Sequence, residues 1–407
     1  MYDIIIIGGG IAGLNCALKL SKNNNILLLD ERKYIGGRII TNKAPVYEIG
    51  AARFNNTHKK LIKLVNQYGL ETYKLDKNIN YLDKETKIIE KNINIKIENF
   101  ISDIIKKSNK FSKSKLQQMT FKKLCENFYT KHKVNKIINY FGYNAEFTIL
   151  NAYDAIRTFK GDFDGNKNYY IVKGGLSILC NEMVKNIELN GGEIRKKTHV
   201  DSVCQLNKNH FVVADNKQNI FNSKKVIFAI KPNQLKQFQI VKNIFPFIDS
   251  IKSVPLLRVY AKYRVGKSGV WFKGLNRTTT NSFLRQIIPI NENKGLIMIS
   301  YVDEKNTKIY LNKNKLLDRE IIKNKIQNEL HLLFPEKSIP KPTYFKCHLW
   351  TEGIHFWKKG SDSSKIYREI LNPIQNIYIC GEGFSLNQAW IEGSLDTSEK
   401  VISLINK

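Results

Sequence analysis

Tyr2-Asp3-Ile4-Ile5-Ile6-Ile7-Gly8-Gly9-Gly10-Ile11-Ala12-Gly13 stands at the start of the sequence and decides its fold. The run Tyr2–Ile7, apolar but for Asp3, suits a strand covered on both faces of a parallel sheet. After the glycines, Leu14, Ala17, Leu18 and Leu20 follow a helical spacing. Strand, glycine turn and helix in that order make a dinucleotide-binding fingerprint. Gly8 permits the tight turn, Gly10 lets a pyrophosphate approach the backbone, and Gly13 lets the helix pack on the strand. The N–H groups of Gly10, Ile11 and Ala12 would face the phosphates. A second apolar run, Ile26–Leu29, ends at Asp30, 17 residues after Gly13. A carboxylate there can accept hydrogen bonds from ribose hydroxyls.

Outward from this unit, composition sets bounds. The chain has 407 residues, 42% of them hydrophobic and 11% aromatic, which excludes a disordered polycation and allows two or three domains. Its net charge of +30 comes from 66 Lys+Arg against 36 Asp+Glu. The basic residues are mostly lysine, spread among many Asn and Ile, as an AT-rich coding bias would leave them. A functional polyanion or membrane surface is the alternative reading. The densest block is Lys106 to Lys136, with ten lysines and one acid, Glu126. Leu116, Met119, Leu124 and Phe128 give that block the pattern of an amphipathic helix with lysines outside. Six cysteines without a C-x-x-C pair point to a reducing, intracellular and cytoplasmic setting and to no metal site. No apolar run reaches the ~20 residues of a membrane helix.

Several later motifs carry a resemblance. Asp30-Glu31-Arg32 is followed by Gly36-Gly37-Arg38, then by Glu48-Ile49-Gly50-Ala51-Ala52-Arg53-Phe54. Tyr169-Tyr170-Ile171-Val172-Lys173-Gly174-Gly175-Leu176 precedes a helical pattern from Ser177, and Val226-Ile227-Phe228-Ala229 reads as a returning strand. Near the end come Ile377-Tyr378-Ile379-Cys380-Gly381-Glu382 and Trp390-Ile391-Glu392-Gly393-Ser394. Together these motifs resemble the flavin-containing amine oxidase superfamily of monoamine, polyamine and L-amino acid oxidases.

The resemblance implies an α/β fold: a Rossmann-like FAD-binding domain of the glutathione-reductase type, with an inserted α+β substrate domain. The FAD-binding domain would comprise 1–75, 166–238 and 371–407, and the substrate domain 76–165 and 239–370. FAD would bind without a covalent link, since no cysteine lies in 361–376 or beside Trp357. Its contacts would come from Gly8, Gly10, Ile11, Ala12, Gly13, Asp30, Glu31, Arg32, Gly37 and Arg38. Gly50, Ala51, Ala52, Arg53, Val200, Gly381, Glu382, Trp390, Ile391 and Gly393 would complete them.

On the substrate side, Arg258 falls where many members carry a lysine that holds a water near flavin N5, with Lys262 as the other candidate. Trp357 with Trp390 would form the aromatic walls that align an amine, Phe356 being the alternative to Trp357. Arg53 would pair with a substrate carboxylate or with flavin phosphate. The expected reaction is oxidation of an amine or amino acid by hydride transfer to flavin N5, with oxygen as acceptor and hydrogen peroxide as product. A desaturase or protoporphyrinogen oxidase-like dehydrogenase, or a non-catalytic flavoprotein that binds nucleic acid, would share the cofactor motifs. Partners expected are the small amine, oxygen, nucleic acid or an anionic surface at Lys106–Lys136, and a second copy of the chain as a homodimer.

Overall fold

Ile4, Ile5 and Ile6 are wholly buried, as are Ile26, Leu27 and Leu28. Consecutive residues can all be hidden only in a strand with cover on both faces. In the computed structural model, which describes residues 1–162 and 167–407, these strands lie at the centre of a seven-stranded sheet. Glu193–Lys196, Ile26–Asp30, Tyr2–Ile7 and Ile220–Phe228 run parallel in that spatial order, with Ile4 opposite both Ile26 and Lys225. Ile220–Phe228 divides its length between two partners. Residues 220–223 pair antiparallel with His210–Asp215, and Val226–Phe228 pair parallel with Ile377–Ile379. Val200–Asn207 closes the edge against His210–Asp215.

Helix Ile11–Leu20 packs on helices Ser177–Leu189 and Ile391–Ile405. Asn15 donates to Ser398 Oγ at 2.8 Å, and the Cys16 and Cys380 sulfurs lie 3.9 Å apart in the same buried layer. Gly191, in the left-handed region at φ +84, stops the Ser177 helix at its C-terminal end.

The chain divides into two compact units, one of 1–75, 168–252 and 361–407, the other of 76–167 and 253–360. The joins expected at 238/239 and 370/371 stand at 252/253 and 360/361. Residues 239–249 stay with the first unit because Val241, Ile244 and Ile248 are buried there. Helix Ser363–Ile370 stays because Tyr367 donates to Asp396 at 2.7 Å. The join expected at 165/166 lies outside the described residues.

The second unit has its own seven-stranded sheet, in which Tyr344–Trp357, Ile251–Lys262, Leu296–Asp303, Gln286–Asn291 and Arg277–Thr280 are successive neighbours. Helix Arg319–Leu333 covers one face with Ile322, Ile326, Leu330 and Leu333, a helical stripe packed into the cluster of Leu257, Val259, Ile297 and Ile299. The block expected as one amphipathic helix instead begins on the last turn of helix Asn94–Ser108 and continues through three more, Lys113–Gln117, Phe121–Glu126 and Lys131–Phe141. Ser112, Thr120 and Thr130 each accept a hydrogen bond from the third backbone N–H of the helix that follows. Each hydroxyl therefore starts a helix rather than continuing one. Leu116 and Leu124 are buried as expected, while Met119 and Phe128 are half-buried.

Candidate active site

In the first unit the two glycine turns meet. Gly36 donates to the Gly9 carbonyl at 2.8 Å, and Gly10 bridges Gly36. The glycines serve different ends. A Cβ on Gly8 would lie 2.5 Å from the Ala229 oxygen, and one on Gly13 would lie 2.0 Å from the Gly8 oxygen, so both are demanded by packing. Gly10 is different. Its φ of −71° and ψ of 176° suit any residue, and an added Cβ would find only the Gly37 Cα, at 4.0 Å. Neither backbone geometry nor packing asks for glycine there, and the bare space lies at the N-terminus of helix Ile11–Leu20. That helix has no side-chain cap and no acid in its first turn. Unfilled N–H groups, a positive helix end and a missing Cβ fit a diphosphate. The residues present fit FAD.

Asp30 sits at the end of its strand, 7% exposed. Its oxygens accept from Gly9 N and Arg32 N, each at 2.7 Å. Burial raises its pKa against the pull of those two N–H groups. The carboxylate thus braces the glycine turn and keeps lone pairs for a hydroxyl. Glu31 points to His199 Nδ1 at 3.0 Å and Gln234 Nε2 at 3.3 Å, while the neighbouring Val200 carbonyl accepts from Gln237 Nε2 at 3.2 Å. Arg32 donates to the Gly37 carbonyl at 3.0 Å and to the Tyr34 hydroxyl at 3.1 Å, so it holds the second glycine turn.

Arg38 and Glu382, both expected near the cofactor, pair with each other at 2.7 Å. The other Glu382 oxygen accepts from Ala389 N at 2.8 Å. Ala389 has φ +68°, a left-handed conformation that costs an alanine roughly 1 kcal/mol. The Glu382 contact holds that turn directly before Trp390. Gly381 N donates to Thr397 Oγ1 at 2.9 Å. A Cβ on Gly393 would meet the Asn387 oxygen at 2.2 Å, so this glycine lets the 385–387 loop lie against the helix that Ile391 opens. Ala51 N donates to the Arg38 carbonyl at 2.9 Å, so Gly50, Ala51 and Ala52, all half-exposed, run beside the Arg38 turn.

Trp390 stacks on Tyr169 with ring centres 6.2 Å apart and meets the edge of His58 at 4.8 Å. The Arg53 guanidinium lies over the other partner, Tyr169, at 5.2 Å. Sequence reasoning did not place His58, Tyr169 or Glu392 in this cluster. Glu392, in the first turn of helix Ile391–Ile405, accepts from Lys60 N at 2.9 Å and Leu61 N at 3.0 Å. It therefore caps helix Lys59–Gln67, whose own first turn has no acid and no side-chain cap. That uncapped start, beginning Lys59-Lys60, was the signal that a carboxylate must come from elsewhere. Burial raises the Glu392 pKa against those two donors.

Within the second unit, Arg258 is buried at 8% exposure. Its Nη2 donates to the Tyr301 hydroxyl at 3.2 Å, with the guanidinium over that ring at 4.5 Å. Although burial opposes its charge, the surrounding tyrosines Tyr301, Tyr260 and Tyr143 hold its pKa above the ordinary arginine value. Lys262 is exposed. A bulge falls between Val259 and Tyr260, and Leu257 to Ala261 are all buried. Trp357 and Phe356, expected as alternatives for one aromatic wall, are each only 1% exposed. Both lie at the end of a 14-residue strand whose last residues enter the core.

A family model described as flavin containing amine oxidoreductase matches residues 11–401. Bovine amine oxidase [flavin-containing] A is 40% identical over 82 residues, 19% of this chain and 16% of that protein. Human amine oxidase [flavin-containing] B is 32% identical over 79 residues, 18% of this chain and 15% of that protein. These alignments therefore span about one-sixth of the curated relatives' length. A putrescine oxidase variant from a redesign of cofactor binding superposes with TM-score 0.82 at 15% identity, over 100% of this chain and 98% of that one. The wild-type putrescine oxidase bound to putrescine gives 0.80 at 15% identity, over 100% and 99%. The fold is thus the α/β class of these flavoproteins. Among the described residues no helix is long and apolar enough to cross a membrane. With nearly its whole length, 11–401, matched by one family model, the chain belongs to the flavin containing amine oxidoreductases.

Proposed function

We propose that the chain is an FAD-dependent oxidase of an amine or amino acid. The family match over 11–401 supports the amine oxidation, and the cofactor is supported by Gly10, a glycine that the fold itself does not need, placed where a diphosphate would cross the helix start. FAD, when bound, supplies the hydride acceptor and passes the electrons to oxygen, yielding hydrogen peroxide. The chain's residues bind and orient. The turn Gly8–Gly13 and Arg38 would hold the diphosphate, Asp30 the ribose, and Glu382 the stretch that presents Trp390. The Tyr169–Trp390 stack would form a wall against which an amine is aligned, and Arg53 beside it would receive a carboxylate if the substrate has one. Putrescine belongs in the substrate panel because of the putrescine oxidase likeness.

Arg258 favours a second reading. Where the family resemblance puts a lysine, this chain has a guanidinium tied to Tyr301, whose donors are fixed in a planar fork. Such a group is a poorer holder of a mobile water, and an acceptor other than oxygen follows: a dehydrogenase or desaturase. Anaerobic mixing of the FAD-loaded protein with amines, diamines and amino acids tests both readings. Bleaching of the flavin with peroxide release in air supports the oxidase. Bleaching that persists in air and clears with an artificial dye supports the dehydrogenase, and no bleaching with any compound removes the amine reading. Acid precipitation should leave FAD in the supernatant, as a non-covalent cofactor requires; yellow protein in the pellet would contradict it.

A further inference from the structure

Residues 106–136 carry ten lysines and one acid, a net +9 of the chain's +30 in a block with no arginine. Nothing in the local fold asks for charge of this density. Each of the three helices has lysine at its third position, Lys115, Lys123 and Lys133, behind the hydroxyl caps Ser112, Thr120 and Thr130. That is the position where a capping box places Glu or Gln, though in the two short helices Lys115 and Lys123 also stand in the last turn. Among the described residues, Lys106, Lys110, Lys115, Lys123, Lys131 and Lys133 are exposed and take part in no ion pair.

Three of the lysines, Lys115, Lys107 and Lys133, are connected through rings, Lys107 also pairing with Asp103 at 2.7 Å. Lys115 lies over Phe111 at 4.9 Å, Phe111 meets Phe128 at 5.9 Å, and Lys107 lies over Phe128 at 5.8 Å and Tyr129 at 4.5 Å. Lys133 lies over the same Tyr129 at 3.9 Å. The rings serve as a floor that spaces the ammonium groups. Two features choose the partner. Within the block itself no large hydrophobic side chain is exposed among the described residues, and the exposed Ile88 and Ile89 lie only at its Lys136 end, beside Glu90, so most of the strip offers nothing to the acyl layer of a membrane. The rings that could stack on unpaired bases carry lysines, which leaves phosphate as the group contacted. Lysine recognises phosphate as a point charge and lacks the planar fork with which arginine reads guanine.

We propose that this lysine strip binds the phosphodiester backbone of double-stranded nucleic acid without sequence preference. The proposal does not depend on the oxidase reading. The test is fluorescence anisotropy of a labelled random-sequence duplex with the FAD-loaded full chain, repeated across salt concentrations. Six lysines on phosphates predict a loss of about a thousandfold in affinity between about 50 and 200 mM salt. The triple variant Lys115→Glu, Lys123→Glu, Lys133→Glu should bind at least about tenfold more weakly at low salt. The same variant should stay folded, read as a single cooperative thermal transition, because the three lysines are exposed and take part in no ion pair. A control with equal charge change on exposed lysines elsewhere, Lys208→Glu, Lys217→Glu, Lys313→Glu, should lose less than about threefold. Equal loss in both variants, unchanged binding in the first, or salt-independent binding overturns the proposal. So does retention by phosphatidylserine vesicles in place of the duplex.

Discussion

Gly10 and Gly13 differ by three positions and should differ in kind when replaced by alanine. At Gly13 the new methyl would lie 2.0 Å from a backbone oxygen, an overlap that side-chain adjustment cannot relieve. Gly13→Ala should therefore cost about 3 kcal/mol or more of stability, read as a lower Tm with and without FAD. At Gly10 the methyl enters open space on ordinary backbone. Gly10→Ala should leave the apoprotein as stable or gain about 0.5 kcal/mol through the unfolded chain. Its FAD affinity should fall at least about tenfold, since the methyl occupies the path of the diphosphate. Equal FAD affinity in Gly10→Ala would remove the argument on which the cofactor assignment rests. Such glycines were legible in the sequence because their reason is local, a turn and a helix start within a dozen residues. Trp357 was not, because its burial is settled by what a 14-residue strand packs on, which no local pattern states.

At the scale of elements, the same contrast holds between caps and covers. Ser112, Thr120 and Thr130 were present in the sequence as helix starts, yet the apolar spacing through Leu116, Leu124 and Phe128 suggested a single helix. Capping chemistry decided the matter, since each hydroxyl satisfies a backbone N–H that a continuous helix would already have paired. Asp303 is the buried counterpart. It ends the strand Leu296–Asp303 and takes Asn144 N at 3.0 Å and Ala145 N at 2.8 Å, fixing the start of helix Ala145–Thr148. Burial pushes its carboxyl up to about 6, with those N–H groups and Arg285 opposing. The folded state then holds a proton that the unfolded chain releases near pH 4, so folding takes up a proton between about pH 4 and 6. The carboxyl's ionisation therefore opposes folding progressively as pH rises through that window, by on the order of 3 kcal/mol once above it. Asp303→Asn has no such titration. The stability difference between wild type and variant should shrink or reverse in the variant's favour from pH 4 to pH 7, measured by urea unfolding. Parallel pH profiles would show that Asp303 titrates normally in the folded protein.

The whole molecule places its most legible motif under the control of its last segment. The fingerprint lies in the first thirty residues, but the unit that contains it is assembled from 1–75, 168–252 and 361–407. Ile377–Ile379 supplies the parallel partner of Val226–Phe228, the strand beside Tyr2–Ile7. Helix Ile391–Ile405 covers Ile11–Leu20 through Asn15, Cys16 and the Lys19–Glu399 pair. It also sends Glu392 to cap Lys59–Gln67, and Glu382 reaches back to Arg38. The sequence showed that these segments meet, through the recurrence of family motifs, but not where the joins fall, because 239–252 and 361–370 are held by burial rather than by motif. A chain ending after residue 376 should therefore retain every residue of the fingerprint and still bind no FAD. Wild-type levels of FAD binding by that truncated chain, followed by flavin fluorescence quenching, would show that the first segments form the site alone. A milder lesion separates coverage from collapse. Glu392→Gln keeps one acceptor but turns an amide N–H toward Lys60 or Leu61 N–H, and should cost about 1–3 kcal/mol. Saturating FAD should restore part of that loss, by an amount that grows with its concentration, because the cofactor binds only the folded first unit. A Tm of the Glu392→Gln protein that does not respond to FAD would mean that the last segment closes the fold without shaping the site.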